Sequence, residues 1–127
     1  MVIPPKYVAT CFPAKTDLII LSLDRCPVNP TTYDTITFTA VVRNIGGLRS
    51  PKSKLSFRVG GETNPQIFEL PELEGCQAYK VRRKVVLNTA RRYRNTVIVD
   101  INNNVAESNE ENNLKTDDYN VVPGIFE

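Results

Sequence analysis

The sequence predicts an all-β domain in which about seven antiparallel strands pack as a two-layer sandwich. Three observations predict this fold. Apolar and polar side chains alternate along several segments, which is the two-residue period of a half-buried strand. Glycine pairs and prolines, which suit turns and cannot continue a central strand, separate these segments at the spacing typical of sandwiches. No segment shows a sustained helical period.

The strands can be placed in order along the chain. The clearest one lies at residues 35–42, where threonines alternate with apolar residues. At residues 54–59 the same alternation places Phe57 at the centre of an apolar face. Arg83 interrupts the alternation of residues 79–87, which indicates a bulge. The predicted strands are 18–23, 35–42, 54–59, 67–70, 79–87, 93–101 and 114–122.

The chain of 127 residues has the size of one domain with a single core. Residues 1–16 contain three of the nine prolines and no alternation, so we expect a linker or a segment along the domain edge. Residues 17–122 form the predicted sandwich domain, and residues 123–127 a C-terminal tail.

Charge and hydropathy disfavour two classes of partner. Sixteen basic and fourteen acidic residues give a net charge of +2, which is too weak to gather nucleic acid or an anionic membrane. No apolar run approaches the ~20 residues that a membrane span needs. Residues 1–15 lack the features of a secretory signal. We therefore expect no nucleic-acid partner, no membrane insertion, and any export signal of the parent protein outside this sequence.

Composition also disfavours catalysis. The chain has no histidine and three cysteines without a C-x-x-C pair, so Ser-His and Cys-His pairs are excluded and a zinc site has almost no ligand set. No G-x-S-x-G elbow or phosphate-binding glycine loop is present. Nothing in the spacing places two carboxylates across a cleft. We expect no enzyme activity and, calcium aside, no cofactor.

Two motifs resemble a known family. The early one contains Asp17-Leu18-Ile19-Ile20, Pro27-x-Asn29-Pro30 and Asn44-x-Gly46, and the late one contains Val99-Asp100 and Val105-x-Glu107-x-Asn109-Glu110-x-Asn112-Asn113. Over residues 17–122 the chain resembles the CARDB domain, the cell-adhesion-related domain found in bacteria. The resemblance implies an immunoglobulin-like, fibronectin III-like seven-stranded antiparallel sandwich, often repeated in exported proteins and without shared catalytic residues. Residues 88–93 depart from it, because arginines stand where the family has a glycine-containing turn.

The three cysteines allow at most one internal disulfide. In a sandwich of the resembled kind the first and fifth strands run parallel and begin at the same end. Cys11 precedes the first strand and Cys76 the fifth, so a disulfide between these two is favoured, provided that their Cα atoms lie within about 7 Å. Cys26, at the far end of the first strand, would then be free.

The loop between the last two strands is a candidate calcium site. Asp100, Asn102, Asn104 and Glu111 occupy positions one, three, five and twelve of an EF-hand loop. The sixth position, which is glycine in an EF-hand, is Val105, and the flanks are strands and not helices. The alternative is that asparagine and aspartate side chains cap the local backbone of this connection.

Aromatic and basic residues supply further surface candidates. Tyr33 and Tyr119 are the candidate platforms for stacking on sugars, whereas Tyr93 begins a strand where a sandwich often bonds a tyrosine hydroxyl to the preceding corner. Basic residues predict one locally basic side of the sandwich. The charges on that side either prevent the sheet from pairing with another chain and aggregating, or they form a site for an anionic polymer. The residues concerned are Lys80, Arg82, Lys84, Arg91, Arg92 and Arg94.

Together these observations predict a non-catalytic extracellular or cell-surface module. It would space neighbouring domains of the same chain or bind a protein or a cell-surface polysaccharide. The alternative is an accessory carbohydrate-binding module of an exported hydrolase.

Overall fold

The computed structural model describes residues 16–99 and 113–124, together with the backbone of residues 2–3. These residues form seven strands of five to nine residues and one strand of two residues. The predicted all-β class is confirmed. The described residues include no helix that could cross a membrane. The strands are β1 (Val2–Ile3), β2 (Leu18–Cys26), β3 (Ile36–Asn44), β4 (Ser53–Arg58), β5 (Gln66–Leu70), β6 (Ala78–Val85), β7 (Arg91–Val99) and β8 (Leu114–Val121).

The strands pair as two four-stranded sheets, in the orders β1-β6-β3-β2 and β5-β4-β7-β8. All neighbours within a sheet are antiparallel. Because β2 and β6 both pair with β3, they run parallel to each other, and both begin at the end of β3 that carries Arg43 and Asn44. This is the fibronectin III-like arrangement that the family resemblance implies.

The state of two cysteines agrees with the favoured disulfide. Cys76, just before β6, is disulfide-bonded, and Cys26, at the end of β2, is free and exposed. The proposed partner Cys11 lies outside the described residues, so the pairing itself stays a prediction. The backbone of β1 pairs with the first residues of β6, but most of residues 1–16 lie outside the description, and the predicted boundary at residue 17 also stays a prediction.

The core fills the space between the two sheets. Phe57 of β4 and Phe38 of β3 are fully buried, and their ring centroids lie 5.9 Å apart. The predicted inward face of residues 54–59 is confirmed, because Leu55, Phe57 and Val59 all have no exposed surface. Tyr93 is buried near the start of β7, and its hydroxyl donates to the Thr89 carbonyl at 2.7 Å. The predicted tyrosine corner is therefore present, and it ties the connection before β7 to the strand.

Asn44 explains the early Asn-x-Gly motif. Its side chain is fully buried at the end of β3. The Oδ1 atom accepts from the backbone N–H groups of Asp17 at 3.2 Å and Gly46 at 3.0 Å. The Nδ2 atom donates to the carbonyls of Leu48 at 2.6 Å and Leu73 at 3.1 Å. One amide thus bonds to four backbone groups of three chain segments, and the Leu73 carbonyl also accepts from the Ser50 N–H at 2.7 Å.

The bulge predicted at Arg83 is wrong. Pairing between β3 and β6 continues without a shift from Ile36 opposite Val85 to Arg43 opposite Ala78. Arg83 keeps the inward parity of Val81 and lies at the margin of the core. Its guanidinium binds both carboxylate oxygens of Glu62 and donates to the Phe57 carbonyl at 2.8 Å. An arginine can take this inward position because each of these acceptors lies within its reach.

The register shift lies instead in β2, between Ile20 and Ser22. One extra residue exchanges the inward and outward parity of a strand. Ile20 is buried before the shift, Leu21 is 47% exposed, and Leu23 packs against the core after it. Beyond the shift, Arg25 points toward the opposite sheet, where Nη1 lies 2.6 Å from Oδ1 of Asp117 and the guanidinium carbon 5.0 Å from the ring centroid of Tyr119.

Candidate functional site

The candidate site lies on the outer face of the sheet β5-β4-β7-β8. Alternate residues of the central strand β7 face outward and change in character along the strand, from two arginines to a threonine and an isoleucine. Neighbouring strands continue each row, because Asp118 lies opposite Arg94, Thr116 opposite Thr96, and Leu114 opposite Ile98. The face is therefore cationic at one end and apolar at the other. The four outward residues of β7 are Arg92, Arg94, Thr96 and Ile98.

A cleft of about 440 Å³ occupies the cationic end of this face. It lies between the turn after β4 and the first residues of β7. We name it the arginine cleft, and its lining consists of Gly60, Gly61, Arg91, Arg92, Tyr93, Arg94 and Asp118.

Arg91 is held on both sides within the arginine cleft. Its guanidinium carbon lies 4.2 Å from the ring centroid of Tyr93, which is a cation–π contact. On the other side, Gly61 has a φ of +90°, and a Cβ atom there would lie 2.5 Å from Nη2 of Arg91. The backbone conformation thus favours glycine at this position, and a larger residue would also displace the end of the Arg91 side chain.

Arg94 forms the wall of the cleft together with Asp118. Nε donates to Oδ1 at 2.7 Å and Nη2 to Oδ2 at 3.3 Å, which is a bidentate pair. The hydrogen bond from Arg94 lowers the pKa of Asp118 below its ordinary value. A Cβ atom on Gly60 would lie 2.9 Å from the backbone N and O atoms of Arg94, so the turn packs directly against the strand.

Arg92 completes the cationic group. It is exposed and lies opposite Asn120 on β8. Among the described residues, no carboxylate forms an ion pair with Arg91 or Arg92. Three guanidinium groups therefore line the cleft against the single carboxylate of Asp118.

A second concavity, of about 290 Å³, lies on the same face along β7. We name it the threonine groove. Arg58 of β4 lies opposite Thr96 in the sheet, and Thr96 is the next outward residue after Arg94, two positions along β7. The two concavities therefore share one continuous face. The threonine groove is lined by Ser56, Arg58, Pro65, Thr96 and Ile98.

The basic residues of β6 and those of β7 lie on different sheets, although the sequence predicts that they share one side of the sandwich. Arg82 lies opposite Thr39 and Lys84 opposite Thr37, on the outer face of the other sheet. The prediction of one basic side is wrong, because the chain crosses between the sheets after β6. Lys80, Arg82 and Lys84 thus face away from Arg92 and Arg94.

The two candidate stacking tyrosines differ in their surroundings. Tyr33 is 60% exposed, as predicted, although the backbone of Gly124 lies against its ring. The prediction for Tyr119 is wrong, because this residue is buried and stacks on Tyr93 with ring centroids 5.8 Å apart. Its hydroxyl donates to Oδ1 of Asn95 at 2.9 Å. Burial raises the pKa of Tyr119 to about 12.

The candidate calcium ligands Asp100, Asn102, Asn104 and Glu111 lie outside the described residues. Within the part that the structure does describe, no group of three or more acidic or cysteine side chains could hold a metal ion. Sequence reasoning missed the contribution of Gly60, Gly61 and Asp118 to the arginine cleft. The glycine pair was an available signal, but it indicates a turn and not what packs against that turn.

Comparison with known proteins identifies the family. The CARDB family model matches residues 15–117 of the chain. The chain belongs to the CARDB family. The domains of this family are non-catalytic. No match was found among the curated proteins.

Solved CARDB domains share the fold of the chain. A crystal structure from Pyrococcus furiosus, described as a complex with di-metal ions, has a TM-score of 0.76 and 25% identity, covering 85% of this chain and 90% of that one. A solution structure of the same archaeal domain has a TM-score of 0.73 and 23% identity, with coverage of 87% and 98%. A domain of a predicted cell-surface protein from Methanosarcina acetivorans has a TM-score of 0.69 and 30% identity, covering 85% and 93%.

Proposed function

We propose that this CARDB domain is a non-catalytic module of an exported cell-surface protein, and that it binds its partner through the outer face of the sheet β5-β4-β7-β8. The location is supported by the Methanosarcina acetivorans relative, which is described as a predicted cell-surface protein. The partner is a protein or a cell-surface polysaccharide.

The absence of catalysis is supported by the character of the face. The arginine cleft offers three guanidinium groups, which do not act as bases near neutral pH, and one carboxylate that is already paired with Arg94. The threonine groove contains hydroxyl and apolar groups and the guanidinium of Arg58, but no histidine, cysteine or carboxylate among its lining residues. Such a surface can bind a ligand, but it lacks an acid and base to act on it.

A spacing role is supported by the positions of the first and last long strands. β2 begins opposite Asn44, at one end of the sandwich. β8 ends at the other end, where the residue after it, Val122, pairs with Thr31 and donates to the Pro30 carbonyl at 3.2 Å. Domains attached before β2 and after β8 would therefore be held apart by the length of a nine-residue strand, which is about 30 Å.

The single observation that carries the binding proposal is the continuity of the two concavities on one sheet face. A flat, charged sheet face is ordinary for a soluble domain and does not indicate a binding site. Neighbouring recesses of about 440 and 290 Å³ do indicate one, because they give a partner a concave surface to fill.

Binding to cell envelopes tests this function. The fluorescently labelled 127-residue chain would be titrated against envelopes prepared from the source organism. Thr96→Tyr fills the threonine groove, and we expect it to weaken binding by about tenfold. The matched control is Thr39→Tyr, on the outer face of the opposite sheet, which should bind as the parent does. Equal losses in both variants, or no binding by the parent, would contradict the proposal.

An accessory carbohydrate-binding module is the second candidate, favoured by the exposed ring of Tyr33. Aromatic stacking on neutral sugars would then carry the affinity. Retention on insoluble cellulose, xylan or chitin, lost in Tyr33→Ala but kept in Thr96→Tyr, would support this alternative over the sheet-face site.

Calcium binding by the loop at residues 100–113 is a further candidate, favoured by the di-metal complex of the Pyrococcus furiosus relative. A real site would raise the melting temperature when calcium replaces a chelator, since ligand at 100 times its dissociation constant adds about 2.7 kcal/mol. Glu111→Gln should abolish that rise. If the loop instead caps its own backbone, calcium leaves the melting temperature unchanged while Asp100→Ala still lowers it.

A further inference from the structure

We propose that the arginine cleft binds the carboxylate or sulfate groups of an acidic polysaccharide. This inference rests on the proposed binding function, and it names the chemical class of the ligand. The polymer would place an anionic group on Arg91 and Arg92 and continue along the threonine groove.

The local charge favours an anion. The whole chain carries a net charge of only +2, yet the arginine cleft gathers three guanidinium groups and one carboxylate. Arg94 already holds that carboxylate in a bidentate pair. Asp118 also interacts electrostatically with Arg92, but one carboxylate cannot balance three guanidinium groups, so an excess of positive charge remains for a ligand.

The ordered position of Arg91 lowers the loss of side-chain entropy on binding. Its guanidinium lies between the Tyr93 ring and the backbone of Gly61 before any ligand arrives. A side chain that is already ordered loses less rotamer freedom when it binds. The planar guanidinium also matches a carboxylate or sulfate through two parallel hydrogen bonds. The cleft is therefore organised for such a group and differs from an exposed lysine patch.

The neighbouring groove favours a polysaccharide over other polyanions. Thr96 and Thr116 form a row of hydroxyl groups, which can bond with sugar hydroxyls, and Pro65 and Ile98 offer apolar contact to sugar C–H groups. Single-stranded nucleic acid would require an exposed aromatic surface for its bases, but Tyr93 is buried and covered by Arg91.

An acidic peptide fits less well for a topological reason. Peptides that add to a sheet require an unpaired strand edge. β7 lies between β4 and β8 and pairs with both, so its backbone groups are already bonded. A peptide therefore cannot add to β7 as a further strand, whereas a saccharide can bind through the side chains of this face.

Affinity measurements with defined polymers test the inference. The 127-residue chain would be titrated with polygalacturonate and dextran sulfate, using neutral dextran as the reference. We expect binding to at least one acidic polymer and none to dextran, with affinity falling between about 50 and 300 mM NaCl. The two acidic arms distinguish carboxylate from sulfate. Equal binding of neutral and acidic polymers would overturn the inference.

Matched charge variants separate the cleft from general electrostatics. Arg92→Glu should lower the affinity by about tenfold, whereas Arg82→Glu makes the same charge change on the opposite face and should lower it less than about twofold. Arg91→Lys keeps the charge but loses the planar contact with Tyr93, and we expect a loss of about fivefold. Equal effects of Arg92→Glu and Arg82→Glu, or no effect of Arg91→Lys, would contradict a shaped site.

Failure of this inference can be told apart from failure of the proposed function. Envelope binding that is weakened by Thr96→Tyr but unchanged by Arg92→Glu and by competing acidic polymers would overturn the polysaccharide assignment and leave the sheet-face function standing. Unchanged melting temperatures would show that each variant is folded.

Discussion

Glu62, in the turn between β4 and β5, binds both terminal guanidinium nitrogens of Arg83, which lies on β6 in the opposite sheet. The same carboxylate accepts from the backbone N–H of Val59 at 2.7 Å. This pair closes one side of the sandwich, and the pair of Arg25 with Asp117 closes the other side. Each side of the two-sheet core is therefore covered by an inward-facing arginine and its carboxylate.

Glu62→Gln should lower the free energy of unfolding by about 1 to 3 kcal/mol. Only 11% of the Arg83 side chain is exposed, and 32% of Glu62, so the substitution leaves a largely buried cation with a weaker partner. Partial exposure of Glu62 keeps the loss below that of a fully buried pair. Urea denaturation measures it. The control Glu74→Gln removes the exposed ion pair with Arg49 and should lower the free energy of unfolding by less than about 0.5 kcal/mol. Equal losses in the two variants would show that burial does not strengthen the Glu62 pair.

Stability in acid should depend on the same carboxylate. The hydrogen bond from Arg83 lowers the pKa of Glu62 in the folded protein, so the unfolded chain takes up this proton first as the pH falls. The contribution is present above the ordinary glutamate pKa of about 4.3 and is lost as the pH falls through the lower folded value. Melting temperatures of the parent and Glu62→Gln should therefore converge in this range. A constant difference from neutral to acid pH would refute the linkage.

Asn44→Ala should lower the free energy of unfolding by about 3 kcal/mol or more, since two backbone donors and the Leu48 carbonyl lose their partner, while the Leu73 carbonyl keeps only the Ser50 N–H. Asn95 offers a matched buried asparagine, which binds one backbone group, the Gly60 N–H, and the Tyr119 hydroxyl. Asn95→Ala should cost less. Chemical denaturation of both variants would check this order, and the reverse order would contradict the bracing role of Asn44.

Phe57→Ala should lower the free energy of unfolding by about 3 to 5 kcal/mol, the usual range for a buried aromatic. The ring is fully buried and contacts Phe38 and Phe68 at centroid distances of 5.9 and 6.5 Å. Ile67→Ala, on the exposed face of β5, where 44% of the side chain is accessible, should cost less than about 1 kcal/mol. A loss under about 1 kcal/mol for Phe57→Ala would contradict the central packing.

Stability in alkali should depend on Tyr119. Burial raises its pKa to about 12 in the folded protein, so the unfolded chain loses this proton first, near the ordinary value of about 10. The contribution is fully present below about pH 10 and is lost as the pH rises toward 12. Absorbance titration of tyrosinate should show a late-titrating group that Tyr119→Phe removes. Normal titration of every tyrosine would contradict the burial.

Sequence reasoning succeeded where a local pattern has one structural solution. Strict alternation placed Phe57 in the core, and the start of a late strand placed the Tyr93 hydroxyl against its corner. It failed where a side chain is fixed by a distant partner. The expectation that Tyr119 is exposed is wrong, and Asp117, two residues earlier on the same face, gives that face no apolar pattern in the sequence. That aspartate faces inward because Arg25 meets it from the other sheet, and nothing in the local sequence of β8 records this.

The register shift in β2 and the opposite placement of the strand ends matter for how the domain would respond to a pulling force. Tension between residues before Leu18 and after Val122 would act along β2 and β8, so the ladders to β3 and β7 would be loaded in shear, with many hydrogen bonds resisting together. The Arg25 and Asp117 pair joins these two strands directly, beyond the register shift at Ile20 and Ser22. The inserted residue turns Arg25 toward the opposite sheet. The resulting ion pair with Asp117 joins the two strands that would receive the force.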